Sequence, residues 1–314
     1  MNCRPPAYGA ALLLGLASAS CVASGERDFV AAVSPQSTVV PVPWVEVPMD
    51  LGVGVPVVDV RIGDREPVRM ILDTGFVYTI VSPQLAASLR LEPAGTVLQS
   101  GVERQLLRVP RLDLGEASFR DVQVVVTDVP AIFGGNAQGI LGLTTFAQSV
   151  LELDGPARRV RIGRDPLRAT ADGRGVFTYT GQQFRPEVSM LVEDRAGNSA
   201  RFRLLIDSGC NGGIELPDAC TTLPFAADQL GEVMSQTMWG TARRRVLRLH
   251  ATARVGDLAI GQPRVTVYTA GKQWQDAELG LLGMAVLSAI VVRLDPQQRL
   301  VQFLDPAAPR GPPR

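Results

Sequence analysis

Two stretches of this 314-residue chain repeat one pattern, and the repeat constrains the fold more than any other feature. They are Ile71-Leu72-Asp73-Thr74-Gly75 and Leu205-Ile206-Asp207-Ser208-Gly209. An apolar run that ends in a turn with glycine predicts a buried strand that carries its aspartate into a tight loop. A single Asp-Thr-Gly triplet is commonly an ordinary turn in which the aspartate binds its own backbone. A functional interpretation therefore depends on the second copy.

The sequence around the two triplets also repeats in register, which indicates an internal duplication. An offset of 134 positions relates the triplets and also takes Ile80 to Ile214. Further along the chain the offset becomes 141, and Gly139-Ile140-Leu141-Gly142 then matches Gly280-Leu281-Leu282-Gly283. Strand signals dominate both copies, and we expect few helices. One short helix is predicted after Ser82, which is a good N-cap, with proline at the first helical position.

The composition is that of a folded protein and excludes several functions. Hydrophobic residues make up 46 % of the chain and charged residues 20 %, and Lys plus Arg equals Asp plus Glu at 31 each. This balance gives no field that favours nucleic acid. His250 is the single histidine, which argues against a Ser-His-Asp triad and against a His-rich zinc site. We expect no metal and no other cofactor.

The N-terminal residues predict export from the cytoplasm. A positive residue, Arg4, precedes a short apolar run over residues 7–17 and a group of small residues that ends at Cys21. This pattern is typical of a signal peptide over residues 1–21 and is too short to span a membrane. Two alternatives stay open, ordinary cleavage after Ala19 or a lipoprotein in which Cys21 is lipidated. We expect a periplasmic or cell-envelope protein whose membrane contact, where it has one, is a lipid on Cys21.

Two cysteines remain in the folded part, Cys210 and Cys220. The offset of 134 places them on Phe76 and Ala86, so we predict that a packing contact of the first half is replaced by a disulfide in the second. The alternative is that Cys210 is a reactive nucleophile. That role would need a base, and His250 is the one histidine available.

The duplication divides the chain into two lobes and several connecting segments. Residues 22–44 lack a clear period and are predicted to be a tether or a short leader, with a masking pro-segment as the alternative. The predicted segments are an N-terminal lobe over residues 45–165, a linker over 166–175, a C-terminal lobe over 176–305 and a loose tail over 306–314.

The order of these motifs resembles the aspartic protease superfamily of pepsins and retropepsins. The resemblance covers about residues 45 to 305, and Asn211-Gly212 after the second triplet is similar to bacterial retropepsin-like proteins. It implies an all-β, bilobal fold with two duplicated β-barrel-like lobes. Retroviral relatives join two identical chains, whereas this chain would join two unlike halves of itself. We therefore expect a monomer.

The resemblance also implies the chemistry of an aspartic-type endopeptidase. Asp73 and Asp207 would share one proton and activate a water against a peptide bond of an extended peptide or protein substrate. Gly75 and Gly209 would allow close approach, and Thr74 and Ser208 would brace the two loops. Pepsins carry Ser or Thr directly after the triplet, whereas this chain has Phe76 and Cys210. We therefore expect higher pKa values for the pair and activity at mildly acidic to neutral pH.

Two hairpin tips are candidates for flaps that cover a substrate, Ser100-Gly101 and Trp239-Gly240, and plain surface hairpins are the alternative. A basic cluster follows the second tip and is predicted to be a solvated strand face or a site for acidic side chains; its members are Arg243, Arg244, Arg245 and Arg248. The rival function is an exported binding or scaffold protein that keeps the fold without turnover.

Overall fold

The computed structural model describes residues 33–99, 102–129, 137–169, 175–181, 184–218, 223–237, 240–268 and 278–304. These residues form mainly β-strands, as predicted. The predicted signal peptide with Cys21 and the predicted tail over residues 306–314 lie outside them. No helix in the described ranges is long and apolar enough to cross a membrane.

The strands are numbered in chain order as β1 (Ser37–Val39), β2 (Trp44–Pro48), β3 (Val57–Ile62), β4 (Val68–Asp73), β5 (Ile80–Val81), β6 (Glu92–Gln99), β7 (Val102–Leu114), β8 (Ala117–Val126), β9 (Gly139–Gly142), β10 (Val150–Asp154), β11 (Arg159–Gly163), β12 (Val176–Thr178), β13 (Glu187–Glu193), β14 (Ser199–Ile206), β15 (Ile214–Pro217), β16 (Ala227–Thr237), β17 (Gly240–Leu249), β18 (Thr252–Val255), β19 (Leu258–Gly261), β20 (Arg264–Tyr268), β21 (Leu279–Leu282), β22 (Val291–Asp295) and β23 (Leu300–Leu304). The helices are α1 (Pro83–Leu89), α2 (Met284–Leu287) and a 3-10 helix (Leu143–Phe146).

The strands form three sheets, and two of the sheets repeat one topology. The first lobe has the order β1-β8-β5-β9-β4-β3-β7-β6, and the second has β16-β17-β20-β15-β21-β14-β13-β18-β19. The segment β8-β5-β9-β4-β3-β7 of the first order recurs in the second as β20-β15-β21-β14-β13-β18. This recurrence confirms the bilobal, duplicated all-β fold.

Local sequence explains why these elements form. In β3 the odd and even positions differ in burial: Val58, Val60 and Ile62 are buried while Asp59 and Arg61 are exposed, as expected for a strand with one face on the core. The predicted helix is confirmed as α1. Its N-cap is Ser82, whose hydroxyl accepts a hydrogen bond from the Leu85 N–H at 3.1 Å.

The segment predicted to be a tether contributes strands to the fold. Ser37–Val39 forms β1 and pairs with β8, with Ser37 opposite Arg120. Trp44 begins β2, which pairs with β11. A three-residue edge strand has too few positions to show a period, so β1 has no local signal in the sequence.

A third, six-stranded sheet joins the lobes in the order β12-β23-β22-β10-β11-β2. At its centre β10 and β22 run antiparallel, with Glu152 opposite Arg293. These two residues are related by the sequence offset of 141, so they meet on the pseudo-two-fold axis of the duplication. The buried Glu152 carboxylate accepts hydrogen bonds from Arg293 at 2.6 Å and from Arg161 at 3.0 Å. The Trp44 ring lies 5.1 and 4.8 Å from these two guanidinium groups.

This buried ion cluster should contribute strongly to the stability of the inter-lobe sheet. We expect Glu152→Gln to lower the free energy of unfolding by about 3 kcal/mol, because the substitution leaves guanidinium groups in the interior without their carboxylate. Glu46→Gln is the control: Glu46 binds Arg161 in the same sheet but its side chain is 47 % exposed, and a loss of at most about 1 kcal/mol is expected. Urea denaturation followed by circular dichroism measures both values. Equal losses would contradict the assignment.

Candidate active site

The two triplets lie at the ends of equivalent strands and are held from behind by equivalent partners. Asp73 ends β4, which pairs in parallel with β9, and β14 leads into Asp207 and pairs in parallel with β21. The Asp207 N–H donates to the Leu282 carbonyl at 3.0 Å. A Cβ at Gly142 would collide with the Tyr78 backbone, and one at Gly283 would lie 2.5 Å from the Gly212 carbonyl oxygen. These glycines let the strands pack directly behind the aspartate loops.

Thr74 and Ser208 tie the two loops together across the lobe boundary. The Thr74 N–H donates to the Ser208 hydroxyl at 2.9 Å, and the Ser208 N–H donates to the Thr74 hydroxyl at 3.0 Å. Each hydroxyl also donates to the other lobe, Thr74 to the Ile206 carbonyl at 2.8 Å and Ser208 to the Leu72 carbonyl at 2.7 Å. All four bonds are buried. The loops are therefore fixed relative to each other.

The structure brings the carboxyl groups of Asp73 and Asp207 together, because each lies against the glycine of the other triplet. Asp73 is 7 % exposed, and its Oδ1 accepts a hydrogen bond from the Gly75 N–H at 2.9 Å. A Cβ at Gly75 would lie 2.7 Å from the Asp207 carboxyl carbon, and one at Gly209 would collide with the Asp73 carboxylate. The glycines of both triplets are thus required for the close approach of the two acids.

Burial makes both carboxyl groups hold their protons more tightly than usual. Burial raises the pKa of Asp73 to about 6, against hydrogen bonds from Gly75, the Asp207 side chain and the Phe76 and Gly209 backbone. The pKa of Asp207 is raised well above its ordinary value, first by burial and then by the negative charges of Asp73 and Glu215. Two carboxyl groups in contact cannot both ionise cheaply, so the pair holds one proton over a wide pH range. Such a pair can act as base and acid at once.

The prediction of a disulfide at Cys210 was wrong for the structure as described. Cys210 is a free cysteine, and Cys220 lies outside the described residues. The Cys210 thiol donates to Glu215 Oε1 at 3.5 Å and packs against the buried side chains of Leu205, Leu279 and Leu281. It is thus directed into the lobe. Burial raises the pKa of this thiol well above its usual range, which also disfavours the nucleophile alternative.

An ion pair beneath the second loop was missed by sequence reasoning. Glu215 and Arg244 are both buried and form a salt bridge, with the Arg244 guanidinium 5.2 Å from the Tyr268 ring centre. Unlike Arg244, the adjacent Arg243 and Arg245 form salt bridges with partly exposed acids. The basic cluster is therefore not one solvated face. The available signal was a glutamate inside an apolar strand.

The predicted flap residues fall largely outside the described ranges. Ser100 and Gly101 lie between β6 and β7, and Trp239 lies between β16 and β17; none of the three is described. Gly240 begins β17 and pairs with Thr237, so both hairpins that would carry the tips are present. In the part of the chain that the structure covers, no group of three or more His, Cys, Asp or Glu side chains could hold a metal ion.

Comparison with known proteins agrees with this geometry. A family model described as Aspartyl protease matches residues 58–145, which include the first triplet and β9. No curated protein sequence matches the chain. Among solved structures, an aspartic proteinase from Irpex lacteus is similar with a TM-score of 0.54 and 10 % sequence identity, over 84 % of this chain and 98 % of that chain. At this identity the similarity shows the shared fold.

The hydrogen bonds of the Thr74 hydroxyl should contribute measurably to the free energy of unfolding. We expect Thr74→Val to lower the free energy of unfolding by about 2–4 kcal/mol, because it leaves the Ile206 carbonyl and the Ser208 N–H buried without this partner. Thr74→Ser keeps the hydroxyl and should lose at most about 1 kcal/mol. Urea denaturation of the three proteins tests this. A Ser variant as unstable as the Val variant would contradict the role of the hydroxyl.

The raised pKa of Asp73 also predicts how stability depends on pH. The folded protein binds this proton more tightly than the unfolded chain, so stability falls as the pH rises from about 4 to above 6. Asparagine carries no charge at any pH. We therefore expect Asp73→Asn to be more stable than the wild type by about 1–3 kcal/mol at about pH 7.5, and to show little advantage at about pH 4. Urea denaturation at both pH values measures this; an advantage that does not change with pH would contradict it.

Proposed function

We propose that this chain, which is similar to aspartic proteases over residues 58–145 and in its fold, is an exported endopeptidase that hydrolyses peptide bonds of extended polypeptides. One observation carries the proposal: two carboxyl groups, one from each half of the chain, meet between the lobes, where each lies against the glycine of the other triplet. The arrangement supplies a base and an acid within reach of one substrate carbonyl. Asp73 and Asp207 are the catalytic residues of this proposal.

The proposed reaction uses the single proton of the pair. The unprotonated carboxylate takes a proton from a water as its oxygen attacks the peptide carbonyl, and the protonated carboxyl donates to the carbonyl oxygen. The rigid loops favour this step, because the Thr74 and Ser208 hydrogen bonds hold both carboxyl groups in place before the substrate arrives.

Two hairpins support an extended peptide as the substrate. Hairpins β6–β7 and β16–β17 occupy equivalent places in the two sheets, and an extended peptide between such hairpins can pair through its main chain. Export is supported by the N-terminal sequence, with Cys21 either removed or lipidated. The chain supplies both aspartates itself, which supports a monomer that needs no metal or other cofactor. A processing enzyme with one dedicated protein substrate would differ only in specificity.

A binding or scaffold protein of the same fold is the second candidate. It would need neither acid, and a pair of buried carboxyl groups in contact costs stability. Both acids are present, their carboxyl groups lie together, and hydrogen bonds between Thr74 and Ser208 join the two loops. These features favour catalysis over binding.

A cleavage-site profile across pH tests the proposed activity. We expect the wild type to cleave a peptide library with an optimum at mildly acidic to neutral pH. The value of kcat/KM should fall below about pH 6, because Asp73 then becomes protonated and can no longer accept a proton from water. Pepstatin, which mimics the tetrahedral state, should inhibit.

Asp73→Asn and Asp207→Asn are the matched variants, and each should lose at least about 1,000-fold in kcat. Circular dichroism should show that both variants are folded. An optimum well below pH 3 would contradict the pH argument, and a folded wild type that cleaves no library peptide at any pH would favour the scaffold.

A further inference from the structure

The two lobes differ in one row of side chains beneath the aspartate loops. In the first lobe Ile71, Ile140 and Ile80 lie side by side across β4, β9 and β5, and all three belong to one buried apolar cluster. Residues in register on neighbouring strands share a face of the sheet. In the first lobe, the side chains of this row beneath the Asp73 loop are therefore all apolar.

The equivalent row of the second lobe contains an acid. Leu205 lies beside Leu281, and Leu281 lies beside Glu215. Leu205 and Leu281 are the duplicates of Ile71 and Ile140, so Glu215 takes the place of Ile80. The sequence offset of 134 had matched Ile80 with Ile214, and the strand register is one position further on. A buried carboxylate has replaced an isoleucine.

Glu215 links the Asp207 loop to a buried cation. Its Oε1 accepts a hydrogen bond from the Cys210 thiol at 3.5 Å, and Cys210 directly follows the second triplet. Its Oε2 binds Arg244, whose guanidinium faces the Tyr268 ring. The carboxylate thus lies between the loop and the arginine, with different partners on its two oxygens. Its negative charge acts on the Asp207 carboxyl and disfavours the ionised form of that group.

A buried Glu–Arg pair is no more stabilising than apolar side chains of the same volume. The first lobe shows that this position accepts isoleucine. A role in stability therefore does not explain Glu215, whereas a role in the electrostatics of the carboxyl pair does. We propose that Glu215 is a positioning residue that makes the two aspartates unequal: its charge holds the shared proton on Asp207 and leaves Asp73 as the base.

This assignment rests on the proposed function and specifies its first step. As the water oxygen bonds to the peptide carbonyl carbon, one water proton passes to Asp73 and the proton of Asp207 passes to the carbonyl oxygen. The product of the step is a neutral tetrahedral diol, and Asp207 is left ionised. Among the described residues, the charged and titratable groups that face Asp207 are Asp73 from β4 and Glu215 from β15. Cys210 and Arg244 bind Glu215, and Tyr268 lies against Arg244.

The test is a direct titration of the aspartates, which does not depend on activity. Protein labelled with ¹³C at the aspartate side-chain carboxyl is followed by NMR across pH, with Asp73→Asn and Asp207→Asn to assign the signals. In the wild type we expect the higher of the two titration steps of the pair to be reported by Asp207. In Glu215→Gln this step should fall by about one pH unit, because a neighbouring negative charge is removed. The alkaline limb of kcat/KM should move with it.

Two further variants keep the test decisive. Glu215→Ile/Arg244→Leu restores the apolar row of the first lobe without an unpaired arginine, and should also lower the upper step if Glu215→Gln does not fold. Glu232→Gln is the control, because Glu232 pairs with the exposed Arg243 on the same hairpin, and its titration should match the wild type. The proposal would be overturned if the higher titration step stayed in place in Glu215→Gln while the melting temperature fell. It would also be overturned if that step moved equally in Glu232→Gln. Absence of peptide cleavage by the wild type would instead reject the proposed function and leave the titration to decide the assignment.

Discussion

The contact between the carboxyl groups of Asp73 and Asp207 is the constraint on which the rest of this structure depends. Carboxylates repel each other and are costly to bury, so the contact exists only where the surrounding chain enforces it. Gly75 and Gly209 give the room, and the hydroxyls of Thr74 and Ser208 fix the distance between the loops. The inter-lobe sheet then holds the two lobes together beneath the pair.

The pseudo-two-fold axis decides which residues could stay alike after the duplication. A residue on such an axis meets its own copy. Hydroxyl groups donate and accept, so Thr74 and Ser208 can bind each other as near-identical partners, and two aspartates can do so by sharing one proton. Two ionised glutamates could not, and at that place in the shared sheet the copies have become Glu152 and Arg293. The halves have thus diverged at a place where identical charges would have met.

The sequence alone predicted the parts of the fold that local pattern controls. The triplets, the duplication and the cap at Ser82 each depend on a few neighbouring residues, and the structure has all of them. The predictions that failed concern contacts between residues that are far apart in the sequence. The disulfide prediction assumed that residues at equal offsets make equal contacts, but the Cys210 thiol is directed towards Glu215. The equivalence of Glu215 and Ile80 was not recognised, because a sequence offset does not reveal a one-residue change of strand register between β5 and β15.

The residues that follow the triplets explain how the pair came to be unequal. The Phe76 N–H donates to the Asp73 backbone carbonyl at 3.3 Å, as the Cys210 N–H does to that of Asp207, and the Phe76 ring packs against Tyr78 with centres 5.2 Å apart. In the second lobe the Cys210 thiol is bound to Glu215, so its hydrogen is not available to the Asp207 carboxylate. Burial acts on both groups, and the added negative charge of Glu215 acts on the second. Near-identical loops have in this way acquired different proton affinities from the residues packed beneath them.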